Sequence, residues 1–552
     1  MQIFNHFSLA NLRGDIFGGV TAAIVSLPLA LAFGVASGVG PAAGLYGAVI
    51  IGLFAAIFGG TPTLISEPTG PMTVVMTAVV TAMIANNPDN GIAMAFTVVM
   101  IAGIFQILLG VLKLGKYITL MPYSVVSGFM SGIGIILIIL QIAPFLGQAN
   151  PPGGVTGALS AFPELIQNVK PAEVVLGALT LAVLFFIPKK ISRLVPPQLV
   201  ALVLITFISV LMFTGEDIRR IGEVPLGLPS FHLPTFSPEQ ITAMVIDGIV
   251  LGMLGCIDSL LTSVIADSLT RHEHKSNKEL IGQGIGNLMS GLFGGLPGAG
   301  ATMGTVVNIQ SGATTAFSGV TRALVLLVVV LGAASLTKNI PLAVLAGIAI
   351  KVGINILDWS FVKRAHKLSW QAALIMYGVM LLTVFVDLIV AVGIGVFIAN
   401  ILTIEKLSAL QSKNVKAISD ADDSVPLSKE ERILLEQTGG RMLFVYLSGP
   451  MIFGVSKAIA REHATMNKYE CVVFDLSDVP LLDTTVSLAI ENAIKDAVDL
   501  ERPVFIVQPE MQAKETLEKQ GIFELISGTQ LCQTRKEALE KVMLCLNISH
   551  ST

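Results

Sequence analysis

An aspartate inside an apolar run is where this sequence first offers chemistry. Asp258 lies in IVLGMLGCIDSLLTSVIADSLT, a stretch long enough to cross a bilayer. A carboxylate at that depth costs about 3 kcal/mol on insertion scales, which marks it as a functional site by default. Thr262 follows four residues later and shares the same helix face. Carboxylate, hydroxyl and nearby free backbone carbonyls would make a cage of hard oxygens for a cation such as sodium. The carboxyl could instead carry a proton, or act as a structural hydrogen-bond donor, and the residues alone leave all three open. Asp267 precedes a charged loop and reads as solvated, and Asp387 reads as interfacial.

A second constellation is made of small residues. EPTGPMTVV (Glu67 to Val75) places Thr69, Gly70 and Pro71 where a membrane helix would be expected to run. Proline suits the first helical turn and not the interior, so Pro71 reads as a helix start after extended backbone. A related string, GATMGTVV, returns at Gly300 to Val307. Both segments are too short to span fully. A helix N-terminus leaves free N–H groups and carries roughly half a positive charge. Two such ends facing each other would bind an anion without arginine or lysine. Gly70, Gly300 and Ala301 let backbone approach a small ligand, and Thr69 and Thr302 add hydroxyls. A nucleotide-loop reading of GGLPGAGATMG fails, because no G-K-[ST] follows.

The elements that must hold these residues follow from composition. The 552 residues are 53% hydrophobic and 13% charged, with mean hydropathy +0.78. Soluble domains average about 25% charged residues, so most of this chain belongs in a membrane. Fourteen apolar segments start near residues 16, 41, 69, 93, 121, 172, 196, 243, 279, 301, 320, 340, 371 and 388. With the termini inside, thirteen basic residues fall in inside loops: Arg13, Lys113, Lys116, Lys189, Lys190, Arg193, Arg271, Lys275, Lys278, Arg322, Lys363, Arg364 and Lys367. Four fall outside: Lys170, Arg219, Arg220 and Lys338. That bias predicts cytoplasmic termini.

The two Met-Val-Val strings are offset by about 231 residues, joining the third segment to the tenth. Pro122, Val125, Gly128, Gly134 and Ile135 recur as Pro341, Val344, Gly347, Gly353 and Ile354 at an offset of 219, joining the fifth to the twelfth. Both shifts equal seven segments. The pattern predicts a 7+7 duplication whose halves run inverted, with half-helices at spans 3 and 10. That is a hallmark of secondary transporters, which bind substrate where the halves meet.

Beyond residue 404 the composition becomes mixed. Residues 405–440 read as a helix extension and linker, and 441–552 as a small cytoplasmic α/β domain. RMLFVYLSG, CVVFDLS and PVFIVQ are its strands; VSKAIAREHAT, TTVSLAIENAIKDAVD and AKETLEKQGIF are its helices. The four cysteines are scattered and give no disulfide framework or zinc site. No basic run suggests nucleic acid, no catalytic cluster suggests an enzyme, and the N-terminus lacks the pattern of a cleaved signal peptide.

These features together resemble the SulP (sulfate permease) anion transporters. The likeness covers the whole chain and rests on ISEPTGP, on the 7+7 arrangement, and on FDLSDVPLLDTT in the tail, which is similar to a STAS domain. Within the family, FGGTPTLISEPTGPMTVV, LGMLGCIDSLLTS and GAGATMGTVVNIQSG resemble the sodium-dependent bicarbonate transporters. The resemblance implies bicarbonate as substrate, sodium as coupling ion and no other cofactor. It implies a plasma-membrane location, and a core of spans 1–4 and 8–11 moving like an elevator against a gate of spans 5–7 and 12–14. It also implies a homodimer formed through the STAS domain. By position it assigns Thr69, Gly70, Pro71, Gly300, Ala301 and Thr302 to the anion, and Asp258, Thr262, Gly300 and Thr302 to sodium. Other members commonly carry Glu at the place of Asp258 and couple to protons or exchange anions. Thr485 matches a phosphorylated position of antagonist-type STAS domains, although Val486 replaces the usual Gly.

Overall fold

The computed structural model describes residues 4–546 except 119–121, 189–190, 192–194, 214–216, 223–228, 333–336, 387, 421–424, 453–454, 464–467 and 527–529. Lys189, Lys190, Arg193 and Asp387 therefore lie outside the described residues. The chain separates into two compact units, Met1–Val396 and Phe397–Thr552.

A helix occupies each of the fourteen apolar segments. In chain order they are α1 (Leu12–Ala36), α2 (Pro41–Phe58), α3 (Gly70–Asn86), α4 (Gly91–Val111), α5 (Tyr123–Phe145), α6 (Pro171–Phe186) and α7 (Pro197–Met212). The second seven are α8 (Ile241–Thr270), α9 (Ser276–Leu292), α10 (Thr302–Gln310), α11 (Phe317–Gly332), α12 (Leu342–Ile356), α13 (Trp370–Phe385) and α14 (Leu388–Gln411). Six of the described helices are long and apolar enough to cross a membrane by length and composition. Two short strands interrupt the helical pattern, β1 (Ser66–Glu67) before α3 and β2 (Ala299–Gly300) before α10.

Pro122 and Pro341, paired by the sequence offset, stand at the same place in their helices. Both are extended residues immediately before the first turn, of α5 and α12 respectively. Gly134 and Gly353, also paired, meet each other. A Cβ on Gly134 would lie 2.7 Å from the Gly353 carbonyl oxygen, and a Cβ on Gly353 would lie 2.8 Å from that of Gly134. Only glycine allows α5 and α12 to cross this closely.

The second unit is an α/β sandwich. Its sheet runs β3 (Val415–Ile418), β4 (Met442–Ser448), β5 (Cys471–Asp478), β6 (Val504–Val507) and β7 (Leu531–Cys532), with β3 antiparallel and the rest parallel. Both faces are covered, as parallel strands require. Leu443, Val445 and Leu447 point to one core with helices α16 (Ser456–His463), α17 (Thr484–Asp499) and α18 (Met511–Lys519). Met442, Phe444 and Tyr446 point to the other, with α15 (Lys429–Gln437) and α19 (Arg535–Cys545). The segment read from sequence as a linker therefore contributes an edge strand and a core helix to this unit. Its polar surface masked both.

Candidate functional site

The site starts from the two strands. β1 pairs antiparallel with β2, Ser66 opposite Gly300 and Glu67 opposite Ala299. The Ala301 amide extends the pairing by donating to the Ile65 carbonyl at 2.7 Å. Each strand leads directly into a short helix, so the pairing brings the N-termini of α3 and α10 together. Thr69 is extended and caps α3, its hydroxyl accepting from the Met72 amide at 3.5 Å, and Pro71 occupies the first turn. Ala301 stands at the same place before α10, extended, with no side-chain cap. Thr69, Gly70, Pro71, Gly300 and Ala301 are buried, whereas Thr302 is exposed. A Cβ on Gly300 would lie 3.0 Å from the Leu64 side chain and 3.1 Å from the Ser259 backbone, so the crossing of β2 over α8 needs a residue without one.

α8 supplies the oxygens beneath. The Thr262 hydroxyl donates to the Gly300 carbonyl at 2.9 Å and lies 3.0 Å from the Thr302 hydroxyl. That carbonyl thus accepts one hydrogen bond and keeps its second lone pair. The Thr69 hydroxyl lies close to the Asp258 carboxyl. Asp258 is 7% exposed, and its Oδ2 is buried with no hydrogen-bond partner among the described residues. An orphaned carboxylate oxygen, one helical turn from a hydroxyl that itself meets a carbonyl and a second hydroxyl, gives a donor set suited to a small hard cation. No group of three His, Cys, Asp or Glu that could hold a metal occurs among the described residues. The set thus offers one negative charge and neutral oxygens, which balances a monovalent ion. All the residues assigned to the two sites from sequence come together here.

Sequence reasoning missed what holds the strands in place. A two-stranded ribbon inside a membrane exposes backbone groups on both edges, and each must find a partner. Asn287 bonds Gly298 twice, its Nδ2 donating to the carbonyl at 2.9 Å and its Oδ1 accepting from the amide at 2.8 Å. Gln106 accepts the second Asn287 N–H at 2.8 Å. The Ser259 hydroxyl accepts from the Gly300 amide at 3.0 Å, and Thr305 accepts from the Ile65 amide at 3.0 Å. Gln283 donates to the Ser66 hydroxyl at 2.6 Å.

Arg322 completes this support. Its guanidinium donates to Glu67 at 2.5 Å, to the Ser66 and Ala48 carbonyls at 3.0 and 2.8 Å, and to Ser26 at 3.0 Å. The residue is 0% exposed. Arg322 is thus no loop charge, and the inside tally falls from thirteen to twelve. Glu67 and Arg322, each a lone charge beside an apolar run, were the signal in the sequence. Asp267 is also more than solvated, since His274 Nδ1 lies 2.6 Å from its carboxylate. Both line a cavity of about 710 Å³ at the C-terminal end of α8, apart from the helix ends described above.

In the second unit, Thr485 is exposed in the first turn of α17, behind the capping carboxylate of Asp483. At the ends of β4 and β5, Arg535 bonds Asp475 at 2.6 Å and also pairs with Asp478. Burial raises the Asp475 carboxyl above its ordinary range, partly offset by its bonds to Ser477 and Arg535.

Facing helix ends on a strand pair, in one chain with this α/β unit, are the architecture of a helical membrane transporter with a C-terminal STAS domain. Residues 12–379 match the sulfate permease family and residues 432–538 the STAS domain. The chain belongs to the sulfate permease family. It is 64% identical over 546 residues to the bicarbonate transporter BicA of Synechocystis sp., covering 99% of this chain and 97% of that one. The solved transmembrane domain of a cyanobacterial bicarbonate transporter BicA aligns with TM-score 0.67 and 67% identity, over 71% of this chain and 100% of that one. Murine solute carrier 26 family member A9, in the inward-facing state, aligns with TM-score 0.83 at 17% identity, over 98% of this chain and 92% of that one, a likeness of fold alone.

Proposed function

We propose that this protein is a sodium-coupled bicarbonate symporter of the plasma membrane. The observation that carries the reading is the unpartnered Asp258 oxygen next to two converging helix N-termini, in a chain 64% identical to a protein named as a bicarbonate transporter. Bicarbonate would sit on the first-turn amides of α3 and α10, beside Thr69, Gly70, Pro71, Gly300, Ala301 and Thr302. Sodium would sit against Asp258, Thr262, Thr302 and the Gly300 carbonyl. Thr69 stands between the two, since its hydroxyl accepts from the α3 amide and lies close to the Asp258 carboxyl. Sodium in its site neutralises the carboxylate and removes the repulsion that an incoming anion would meet. One sodium with one bicarbonate moves no net charge. The membrane potential, worth about 2.3 kcal/mol per charge per 100 mV, then gives no direct drive, and the sodium gradient supplies it.

Fourteen spans in two inverted sevens, with cytoplasmic termini, accord with the reciprocal Gly134–Gly353 contact and the matched prolines. On this reading spans 1–4 and 8–11 carry the site past spans 5–7 and 12–14, and the STAS domain joins two copies. The competing readings are a proton-coupled sulfate or dicarboxylate transporter and a passive anion channel, whose uptake could not run uphill. A dianion brings a second negative charge that the helix ends alone would have to hold, because the nearby Arg322 is already matched by Glu67.

The test is uptake of labelled bicarbonate into proteoliposomes with and without an inward sodium gradient, with sulfate as competitor, for wild type and Asp258→Ala. Accumulation that needs sodium, resists sulfate and disappears in the variant supports the symporter. Uptake driven by a proton gradient, or blocked by sulfate, overturns it.

A further inference from the structure

A groove runs along the outer side of α8, away from the helix ends. Its floor is Leu254 and Ile257 of α8 with Phe129 of α5, all nearly fully buried. Its mouth is formed by Ile246, Ile249 and Met253, between 37% and 48% exposed, and by Gly393 of α14. The volume is about 340 Å³. Sites for small soluble molecules of this size carry a few placed polar groups. Every side chain lining this one is hydrocarbon or thioether, or is absent at Gly393, so nothing here could orient a polar ligand.

The dimensions select the occupant. From Ile246 to Ile257 the groove follows α8 for about 16 Å at the helical rise, close to half of a hydrocarbon core about 30 Å thick. Spread over that length, its volume gives a cross-section of about 20 Å², far narrower than a helix of about 10 Å diameter. One extended hydrocarbon chain fits and a transmembrane helix does not. The exposed isoleucines at the mouth open the groove to whatever surrounds the helices at that depth, which for a membrane protein is the acyl region.

We infer that this groove binds one acyl chain of a bilayer phospholipid, lodged between α8 and the pair α5 and α14. Its inner end reaches Ile257, the residue before Asp258. The chain is thus a removable wedge beside the helix that carries the carboxylate.

The test uses the full-length protein in proteoliposomes containing a phospholipid with a photoactivatable acyl chain, and crosslinks are mapped by mass spectrometry. Labelling is expected to concentrate between Ile246 and Ile257 and around Gly393, several-fold above exposed lipid-facing residues such as Phe207 and Leu211. Nothing lies within 4 Å of a Cβ built at Gly393 or at Gly378. Gly393→Phe should therefore fill the groove and cut this labelling several-fold, whereas Gly378→Phe, equally open but elsewhere, should not. Labelling in the wild type that is no stronger than at Phe207 overturns the inference whether or not the variants fold. So does labelling unchanged by Gly393→Phe, or a crosslinked pair of chains at these residues in place of lipid adducts.

Discussion

The N-termini of α3 and α10 arise from matching strings, yet they are built differently. α3 has 17 residues and carries its own cap, the Thr69 hydroxyl, with its first turn buried. α10 has nine residues, begins after Ala301 with no side-chain acceptor, and exposes Thr302 and Met303. One end has spent part of its donor capacity on its own hydroxyl, which lies close to Asp258. The other keeps its first-turn amides available. On the proposed reading the difference would divide the labour within one duplicated element: α10 would supply more of the anion's donors, and α3, through Thr69, would stand nearer the cation.

The largest expected effect tests what both ends share. Arg322→Met or Glu67→Met leaves one charge of the pair buried and alone, which should cost about 3–5 kcal/mol. The double substitution should recover much of that loss, because apolar replacement of a buried pair is often near neutral. Thermal melts of the purified protein measure both. A loss in the double variant equal to the sum of the two single losses would mean that the charges do not act as a pair. Asp258→Asn comes next. Removing the charge while keeping the shape should weaken the sodium dependence of uptake roughly 5- to 150-fold, the usual range for coupled sites. Uptake that stays fully sodium-dependent would remove Asp258 from any coupling role.

Two smaller changes address the asymmetry itself. Thr69→Val removes a cap worth about 1 kcal/mol and a hydroxyl close to Asp258, so it should raise the KM for both sodium and bicarbonate. Ala301→Ser offers α10 a cap of its own, which competes for the anion's donors. It should raise the KM for bicarbonate about fivefold, the equivalent of about 1 kcal/mol, and leave that for sodium unchanged. If the two variants behave alike, the halves are equivalent and the division of labour fails.

What was legible in the sequence was local. Pro71 announced the start of α3, the Met-Val-Val strings announced its counterpart, and Asp258 announced itself by its surroundings. What stayed hidden was partnership across distance. Glu67 and Arg322 are 255 positions apart, and no periodicity joins them. Asn287, set in an amphipathic helix, looked like an ordinary polar residue because its role depends on Gly298 lying beside it. β3 was lost for a different reason. It is four residues long and lies at the sheet edge, and its half-buried Lys416 and Ala417 blur the alternation of Val415 and Ile418.

The strand pair also sets a schedule for biogenesis. Ser66 cannot meet Gly300 until roughly 230 further residues have left the ribosome. At about 5–20 residues per second, that is a wait of roughly 10–50 s. Throughout that time the backbone of β1 and the charge of Glu67 have neither strand partner nor counter-ion. Either the translocon or a pocket of water must shelter this segment, and the membrane can close around it only when the second half arrives. When the halves are produced as two separate polypeptides, the first should therefore stay open to quality-control proteases until the second is co-expressed.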